Sequence, residues 1–240
     1  MIVWLASFPR SGNTFFRIVL KKLYGQESLS LYGDDPAHVV WQAAAADSDA
    51  EALAKLRASN KLCFVKTHEL PSDDSPAILL VRDGRDAMIS FAHFIEDYGV
   101  VRRSAFGEFA ANLEACRQEL LHGRPRFDQL LRRIVERRYF DWSGHYRAWR
   151  ERPAGSTVVK FESLIRQPES TTQGALDALG LGLIRRTEAE IPTFHQLHEN
   201  DPKFFRAGRV GQWQAEMSPE MEELFWREHH EGMRLAGYLR

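Results

Sequence analysis

Four short apolar runs, separated by polar and turn-forming segments, are the first regular feature of the chain. They cover residues 2–7, 62–66, 77–81 and 157–161. Each run is close to continuously apolar, without the alternation of a half-exposed strand, and this is typical of strands buried on both faces of a parallel sheet. The pattern therefore predicts four buried parallel strands.

Between these runs, apolar residues recur at helical spacing. The pattern predicts helices at about residues 13–23, 36–59, 85–97, 104–121, 127–150, 168–180 and 218–231. Pro168 and the sequence Ser218-Pro219-Glu220 are typical of helix starts. Alternating strands and helices predict an α/β fold, with a central parallel β-sheet flanked by helices. Because the sequence contains no repeat or linker, we expect a single domain across residues 1–240.

The overall charge changes what kind of binding site can be expected. The chain has 240 residues, of which 27% are charged, and its net charge is −1. This balance gives no reason to expect nucleic acid or a membrane surface as a partner, so cations for an anionic ligand must be concentrated at one site. The apolar start, residues 1–9, is too short for a signal peptide or a membrane span, and we expect a cytoplasmic protein.

Several conspicuous groups of side chains are interpreted as structural. The two cysteines, Cys63 and Cys116, have no metal-ligand spacing, and we expect no metal site. The arginines within residues 132–138 are expected on a solvated helix face, and His229 and His230 on the surface. An aromatic stripe at helical spacing is expected to pack in the core; it consists of Tyr139, Trp142, Tyr146 and Trp149.

The segment from Trp4 to Phe15 carries the first chemical signal. A strand leads into a tight turn at Gly12, and a helix opens directly after it. Unpaired backbone N–H groups and the helix dipole favour an anion at such a helix start, and Arg10 adds a positive charge. The loop is not a Walker A motif, because no lysine follows Gly12 and the earlier glycine is missing. For this loop taken alone, an ordinary strand–helix turn with a serine cap is a substantial alternative.

Three more segments extend this loop into an ordered set of four blocks. They are residues 8–15 (Phe-Pro-Arg-Ser-Gly-Asn-Thr-Phe), 65–71 (Val-Lys-Thr-His-Glu-Leu-Pro), 80–94 and 204–213. In this order they resemble the sulfotransferases that use 3′-phosphoadenosine 5′-phosphosulfate (PAPS). One block would be weak evidence, whereas four in order are specific. The resemblance implies a P-loop-like phosphosulfate-binding loop, and transfer of a sulfuryl group from PAPS to a hydroxyl or amine.

The resemblance also implies which residues perform the chemistry. His68, within Lys-Thr-His, is expected to be the general base that takes the proton of the acceptor. Lys66 is expected to support the negative charge near the sulfate. Arg10 stands where the family usually has lysine, and is expected to stabilise the 5′-phosphate and the bridging oxygen as the sulfate leaves. Arginine presents a planar fork instead of a point charge, so its geometry differs.

The nucleotide ligands are assigned by the same resemblance. For the 5′-phosphate these are Arg10, Ser11, Gly12, Asn13 and Thr14. For the 3′-phosphate they are Arg82, Ser90, Arg206, Ala207 and Gly208. For the adenine and its surroundings they are Phe15, Phe161, Thr193 and Phe194, since aromatic faces stack on bases. The family commonly has lysine at Ala207, so this clamp has lost one charge, for which Arg209 could compensate.

Two other classes of function are weighed against sulfuryl transfer. An apolar strand ending at Asp83 could belong to a P-loop kinase that binds ATP and magnesium. A non-catalytic protein that binds PAPS, or its product adenosine 3′,5′-bisphosphate (PAP), would keep the phosphate site without a working base. The missing Walker lysine argues against the kinase, and the presence of Lys66 and His68 argues against the binding protein.

The acceptor and the oligomeric state are not determined by the sequence. The acceptor could be a small molecule, a sugar or a peptide. A group of aromatic residues would suit either an apolar acceptor cleft or the core; these are Phe91, Phe94, Tyr98 and Phe106. The C-terminal dimer motif of the family is not matched, because three of its four positions differ; these positions are Gln214, Ser218, Pro219 and Glu223.

Overall fold

The computed structural model describes residues 1–30, 49–59, 61–98, 107–123, 126–187, 189–206 and 208–240. Its strands are β1 (Ile2–Ser7), β2 (Ser28–Ser30), β3 (Cys63–Thr67), β4 (Ala77–Val81) and β5 (Thr157–Lys160). The helices in the first half are α1 (Asn13–Tyr24), α2 (Asp49–Ala58), α3 (Gly84–Tyr98), α4 (Gly107–His122) and α5 (Phe127–Val135). The second half contains α6 (Trp142–Glu151), α7 (Phe161–Arg166), α8 (Pro168–Ala178), α9 (Phe194–Asn200), α10 (Trp213–Glu216) and α11 (Pro219–Leu235).

The strands form one parallel sheet in the order β2-β3-β1-β4-β5. β1 lies in the middle, with Ala6 opposite Thr67 of β3 and Ser7 opposite Leu80 of β4. All six residues of β1 are buried. This confirms the predicted α/β fold with a central parallel sheet.

Helices cover both faces of the sheet. Successive strand residues point to opposite faces, so each strand packs against both layers of helices. Along β1, Trp4 and Ala6 pack with α3, α5, α6 and α11 on one face. Val3 and Leu5 pack with α1 and α8 on the other. Buried apolar residues on both sides explain why the predicted strands, β1, β3, β4 and β5, appear in the sequence as apolar runs.

The structure differs from the predicted elements at several points. β2 was not predicted, because its three residues, Ser-Leu-Ser, contain no apolar run. The predicted helix at 127–150 is wrong, since the chain forms α5 and α6 with a break between them. Arg137 has a positive φ of 59° in that break, and Asp141 starts α6 by accepting a hydrogen bond from the Gly144 amide. Parts of the predicted helices at 36–59 and 104–121 lie outside the described residues, as does Phe106.

The groups expected to be structural are mostly placed as predicted. The four aromatic side chains of the stripe are buried. Arg133 and Arg138 pair with Glu119 on the outside of the helices. The surface prediction for His229 is wrong, because this side chain is 0% exposed. Its Nε2 is 2.9 Å from the Val135 carbonyl oxygen, and its Nδ1 is 3.1 Å from Ser143 Oγ.

None of the helices within the described ranges is both long enough and apolar enough to span a lipid bilayer.

Candidate active site

The carboxyl ends of the central strands bring the predicted site residues to one edge of the sheet. Parallel strands all end at the same edge, where open α/β sheets bind their ligands. The phosphate loop follows β1, and His68 follows β3 directly. Arg82 follows β4, and Phe161 follows β5. Residues far apart in the sequence therefore meet because each one comes immediately after a buried strand.

The loop between β1 and α1 has a strained backbone that exposes the start of the helix. Arg10 and Gly12 have positive φ values of 65° and 91°. A Cβ atom at Gly12 would lie 2.6 Å from Cδ2 of Phe161, so the position requires glycine for both conformation and space. The first bond of the helix runs from the Phe16 amide to the Gly12 carbonyl at 3.0 Å. The amides of residues 13–15 thus have no partner within the helix, as an anion site needs.

Two polar side-chain atoms in this loop are buried without a hydrogen-bond partner. They are Ser11 Oγ and Asn13 Oδ1, in residues that are 0% and 4% exposed. Buried polar atoms are normally paired, so an unpaired hydroxyl at a helix start fits a loop that receives a polar ligand. The Asn13 amide group donates to the Leu5 carbonyl at 2.8 Å and to Ser7 Oγ at 3.2 Å. Because the side-chain N–H groups of Asn13 are already bonded within the protein, its expected contact with the phosphate must come from its backbone N–H. Thr14 is buried in the same turn.

The geometry of His68 defines which ring nitrogen carries the proton. Its Nδ1 lies 2.7 Å from the Ser7 carbonyl oxygen and 3.3 Å from Ser7 Oγ. A carbonyl oxygen can only accept, so Nδ1 is the donor and the lone pair of the neutral ring is at Nε2. Hydrogen bonding by one ring nitrogen is the usual way in which a protein orients the other for proton transfer. His68 is half-buried at the end of β3, next to the phosphate loop.

Hydrogen bonds from α6 and from the loop itself hold the segment that carries His68. The Glu69 amide donates to Thr67 Oγ1 at 3.0 Å, and Trp149 Nε1 donates to the Glu69 carbonyl at 2.9 Å. Lys66 is half-buried near the end of β3, opposite Leu5 of β1 and Ser30 of β2. The Lys-Thr-His segment thus lies one strand away from the phosphate loop.

Arg10 lies closer to the predicted 3′-phosphate ligand than its assigned role implies. Its Nε donates to Ser90 Oγ at 3.2 Å, and its Nη2 donates to the Phe204 carbonyl. The guanidinium carbon is 5.2 Å from the ring centre of Phe94 and 4.5 Å from that of Phe204. Arg10 therefore connects the phosphate loop, α3 and the segment before Arg206.

Arg82 is a buried cation between the phosphate loop and the C-terminal loop. It is 5% exposed, and it donates to the carbonyls of Arg10 at 3.3 Å and Arg209 at 3.0 Å. Its Nε is buried without a hydrogen-bond partner. Burial lowers the pKa of the guanidinium, and Asp86, with Oδ2 at 3.6 Å, opposes this shift. An incompletely paired buried arginine is well suited to receive a phosphate.

Asp86 organises this site, although the sequence analysis gave it no role. Its carboxylate accepts from the Gly211 amide at 2.8 Å and from the Trp213 amide at 2.9 Å. It is 1% exposed. Because Asp86 stands four residues after Arg82, one helical turn away in spacing, the sequence did contain a signal for this ion pair.

The C-terminal loop contributes Arg206 and Gly208. Arg206 Nη2 lies 3.3 Å from both carboxylate oxygens of Glu216. Gly208 has a positive φ of 57°, and a Cβ atom there would overlap the ring of Phe194. Ala207 lies outside the described residues.

The residues predicted for the adenine form an aromatic cluster. The ring centre of Phe194 is 5.6 Å from that of Phe15 and 6.5 Å from that of Phe161. Phe205 packs against Phe194 at 5.8 Å. Thr193 is exposed and starts α9 by accepting a hydrogen bond from the Gln196 amide at 3.3 Å. The structure therefore gives Thr193 a capping role that places Phe194 at the first turn.

In the part of the chain that the structure describes, no group of three or more His, Cys, Asp or Glu side chains could hold a metal ion.

Comparison with known protein families identifies the class of enzyme. The model of the sulfotransferase domain family matches residues 2–237. The chain belongs to this family and is a sulfotransferase. This confirms the predicted family and enzyme class.

Solved structures show the same fold at low sequence identity. A mouse sulfotransferase, SULT7A1, complexed with PAP matches with a TM-score of 0.63 and 17% identity, covering 100% of this chain and 89% of that chain. Retinol dehydratase in complex with androsterone and PAP matches with a TM-score of 0.57 and 16% identity, covering 97% and 80%. The same enzyme in complex with retinol and PAP matches with a TM-score of 0.56 and 17% identity, covering 97% of this chain and 81% of that chain. No curated protein sequence matches the chain significantly.

Proposed function

We propose that this sulfotransferase transfers the sulfuryl group of PAPS to a hydroxyl or amine, with His68 as the general base. The acceptor atom forms a bond to sulfur as the bond between sulfur and the bridging oxygen of the 5′-phosphate breaks. The electron pair of that bond stays on the bridging oxygen, which leaves with PAP. The proton of the acceptor passes to Nε2 of His68.

One observation carries the assignment of the base: the hydrogen bond from Nδ1 of His68 to the Ser7 carbonyl at 2.7 Å. This bond places the lone pair at Nε2, as a general base requires. Ser7 is the last residue of β1, so the same strand that leads into the phosphate loop also orients the ring. The proposed base and the proposed donor site are therefore held by one rigid element.

The buried cations and unpaired donors support PAPS as the sulfuryl donor. The unpaired Ser11 Oγ and the open start of α1 suit the 5′-phosphate. Arg82, Ser90 and Arg206 suit the 3′-phosphate, which distinguishes PAPS from common nucleotides. The related structures were solved with PAP, in agreement with this assignment.

Arg10 is expected to move or to share its contacts when the donor binds. Its guanidinium already lies at Ser90, so it reaches the 3′ side of the site from the phosphate loop. The long, charged side chain of Arg10 is proposed to stabilise charge on the bridging oxygen during transfer. Lys66, one strand away, is proposed to support the same charge.

A small molecule is the acceptor class that we favour. Androsterone and retinol are bound in the retinol dehydratase structures. In this chain Phe8, Phe91 and Phe140 pack together near the carboxyl edge, with ring centres 6.0 and 4.9 Å from that of Phe91. Phe91 is 2% exposed, so it belongs to the core and not to an open cleft, and the preference for a small acceptor rests on the related structures alone.

Calorimetric titration with PAP, ADP and ATP–magnesium tests the donor assignment without knowledge of the acceptor. We expect tight binding of PAP in the presence of a chelator, with ADP much weaker, because only PAP carries a 3′-phosphate. A preference for ATP–magnesium over PAP would contradict the proposal and favour a kinase.

A further inference from the structure

Glu216, a residue without an assigned role, connects the predicted 3′-phosphate clamp to α3. Its carboxylate oxygens lie 3.3 Å from Nη2 of Arg206. Oε2 also lies 2.6 Å from Nε2 of His93, which is on the next turn of α3 after Ser90. His93 in turn stacks on Phe127, with ring centres 4.3 Å apart. The carboxylate is thus fixed from one side and holds the arginine on the other.

The C-terminal loop is attached to α3 at two points that bracket Ser90. Asp86, one turn before Ser90, accepts from the amides of Gly211 and Trp213. Glu216, at the end of α10, contacts His93, one turn after Ser90. The loop that contains Arg206 and Gly208 is therefore tied to α3 at residues on either side of Ser90 in the sequence. The contact with Glu216 restricts the side chain of Arg206, as burial restricts the side chain of Arg82.

We infer that Glu216 is a positioning residue that holds Arg206 ready for the 3′-phosphate and thereby contributes to the selection of 3′-phosphorylated nucleotides. The inference rests on the proposed function. An arginine that is about three-quarters buried on a loop would otherwise populate several rotamers, and fixing it before binding removes that entropic cost. Both contacts to Glu216 come from Nη2, so the guanidinium can bridge the carboxylate and a phosphate.

The opposite reading is that Glu216 competes with the phosphate for Arg206. The hydrogen bond to His93 argues against it, because a carboxylate held by α3 serves as a fixed support for the guanidinium. The two readings predict opposite signs for the effect of removing the carboxylate on PAP binding. Affinity measurements therefore decide between them.

The test compares the affinities of the wild-type chain and Glu216→Ala for PAP and for ADP by calorimetry. We expect the Kd for PAP to rise about tenfold in the variant, which corresponds to about 1.4 kcal/mol, with the Kd for ADP changed by less than about twofold. Glu216→Gln keeps the acceptor oxygen without the charge, and we expect a smaller loss of the same sign. Glu223→Ala, which removes an exposed carboxylate paired with Arg240, is the matched control and should behave like the wild type.

A double-mutant cycle shows whether Glu216 acts through Arg206. In the Arg206→Ala background, Glu216→Ala should change the Kd for PAP by less than about twofold, because there is no guanidinium left to position. Unchanged or tighter PAP binding by Glu216→Ala, parallel losses for PAP and ADP, or full additivity in the cycle would each overturn the inference. Failure of the wild-type chain to bind PAP would instead overturn the proposed function, and the inference with it.

Discussion

Acidification should destabilise the fold through His229 of α11, whose ring is completely buried against α5 and α6. Burial lowers the pKa of His229 from 6.5 to about 4. Below pH 6.5 the unfolded chain therefore takes up a proton that the folded chain resists, so stability falls with pH until the folded pKa is reached. Since each unit of pKa difference is about 1.36 kcal/mol, the free energy of unfolding should lose about 2 kcal/mol between pH 7 and pH 5 from this residue alone, and about 3 kcal/mol at the acid limit.

Urea unfolding of the wild type and His229→Gln at pH 7, 6 and 5 measures this contribution. Glutamine can still donate to the Val135 carbonyl but does not titrate, so the variant should be less stable at pH 7 and less sensitive to acid. The difference between the two pH profiles should be about 2 kcal/mol, because other titrating groups cancel. His230→Gln, which changes the neighbouring exposed histidine, should follow the wild type. Equal pH dependence in His229→Gln and the wild type would refute the argument.

Three further substitutions test the site. Arg82→Ala should weaken the binding of PAP by at least about tenfold and that of ADP only slightly, as expected for a charged phosphate contact. Equal losses of affinity for both nucleotides by calorimetry would refute a 3′-phosphate role. Trp149→Phe removes the hydrogen-bond donor to the Glu69 carbonyl. If this bond positions His68, kcat should fall several-fold while the Kd for PAP stays constant. A loss confined to PAP binding would contradict this positioning effect. Gly12→Ala should lower both Tm and PAP affinity, since the new Cβ would sit at a positive φ and 2.6 Å from the ring of Phe161. Wild-type Tm and PAP affinity in this variant would contradict the requirement for glycine.

The architecture was predictable because the central strands are buried on both faces. β1 and β4 have no exposed residue, so their apolar runs stand out from the helices around them. β2 lacks this signal, since two of its three residues are serines whose burial depends on the neighbouring strand. The prediction of a single helix at 127–150 was wrong because the helical spacing of apolar residues continues across the break at Arg137. Periodicity alone does not show that the chain changes direction there.

The positions of the candidate site residues were predictable where each residue directly follows a strand. His68 and Arg82 are placed by the strands before them, so motif and topology agree. The direction of Arg10 was not predictable, because a long side chain selects its rotamer from contacts with Ser90 and Phe204 that are remote in sequence. The same applies to Glu216, which meets His93 across 123 residues.

The central claim is that His68 accepts the proton of the acceptor during sulfuryl transfer. The most direct measurement is the rate of PAP formation from PAPS with a panel of phenols, alcohols and amines, compared between the wild-type chain and His68→Ala, with the Kd for PAP measured for both. We expect His68→Ala to bind PAP normally and to turn over roughly 10²–10⁴-fold more slowly, the usual contribution of a general base. Turnover close to that of the wild type in His68→Ala, with PAP binding intact, would contradict the account.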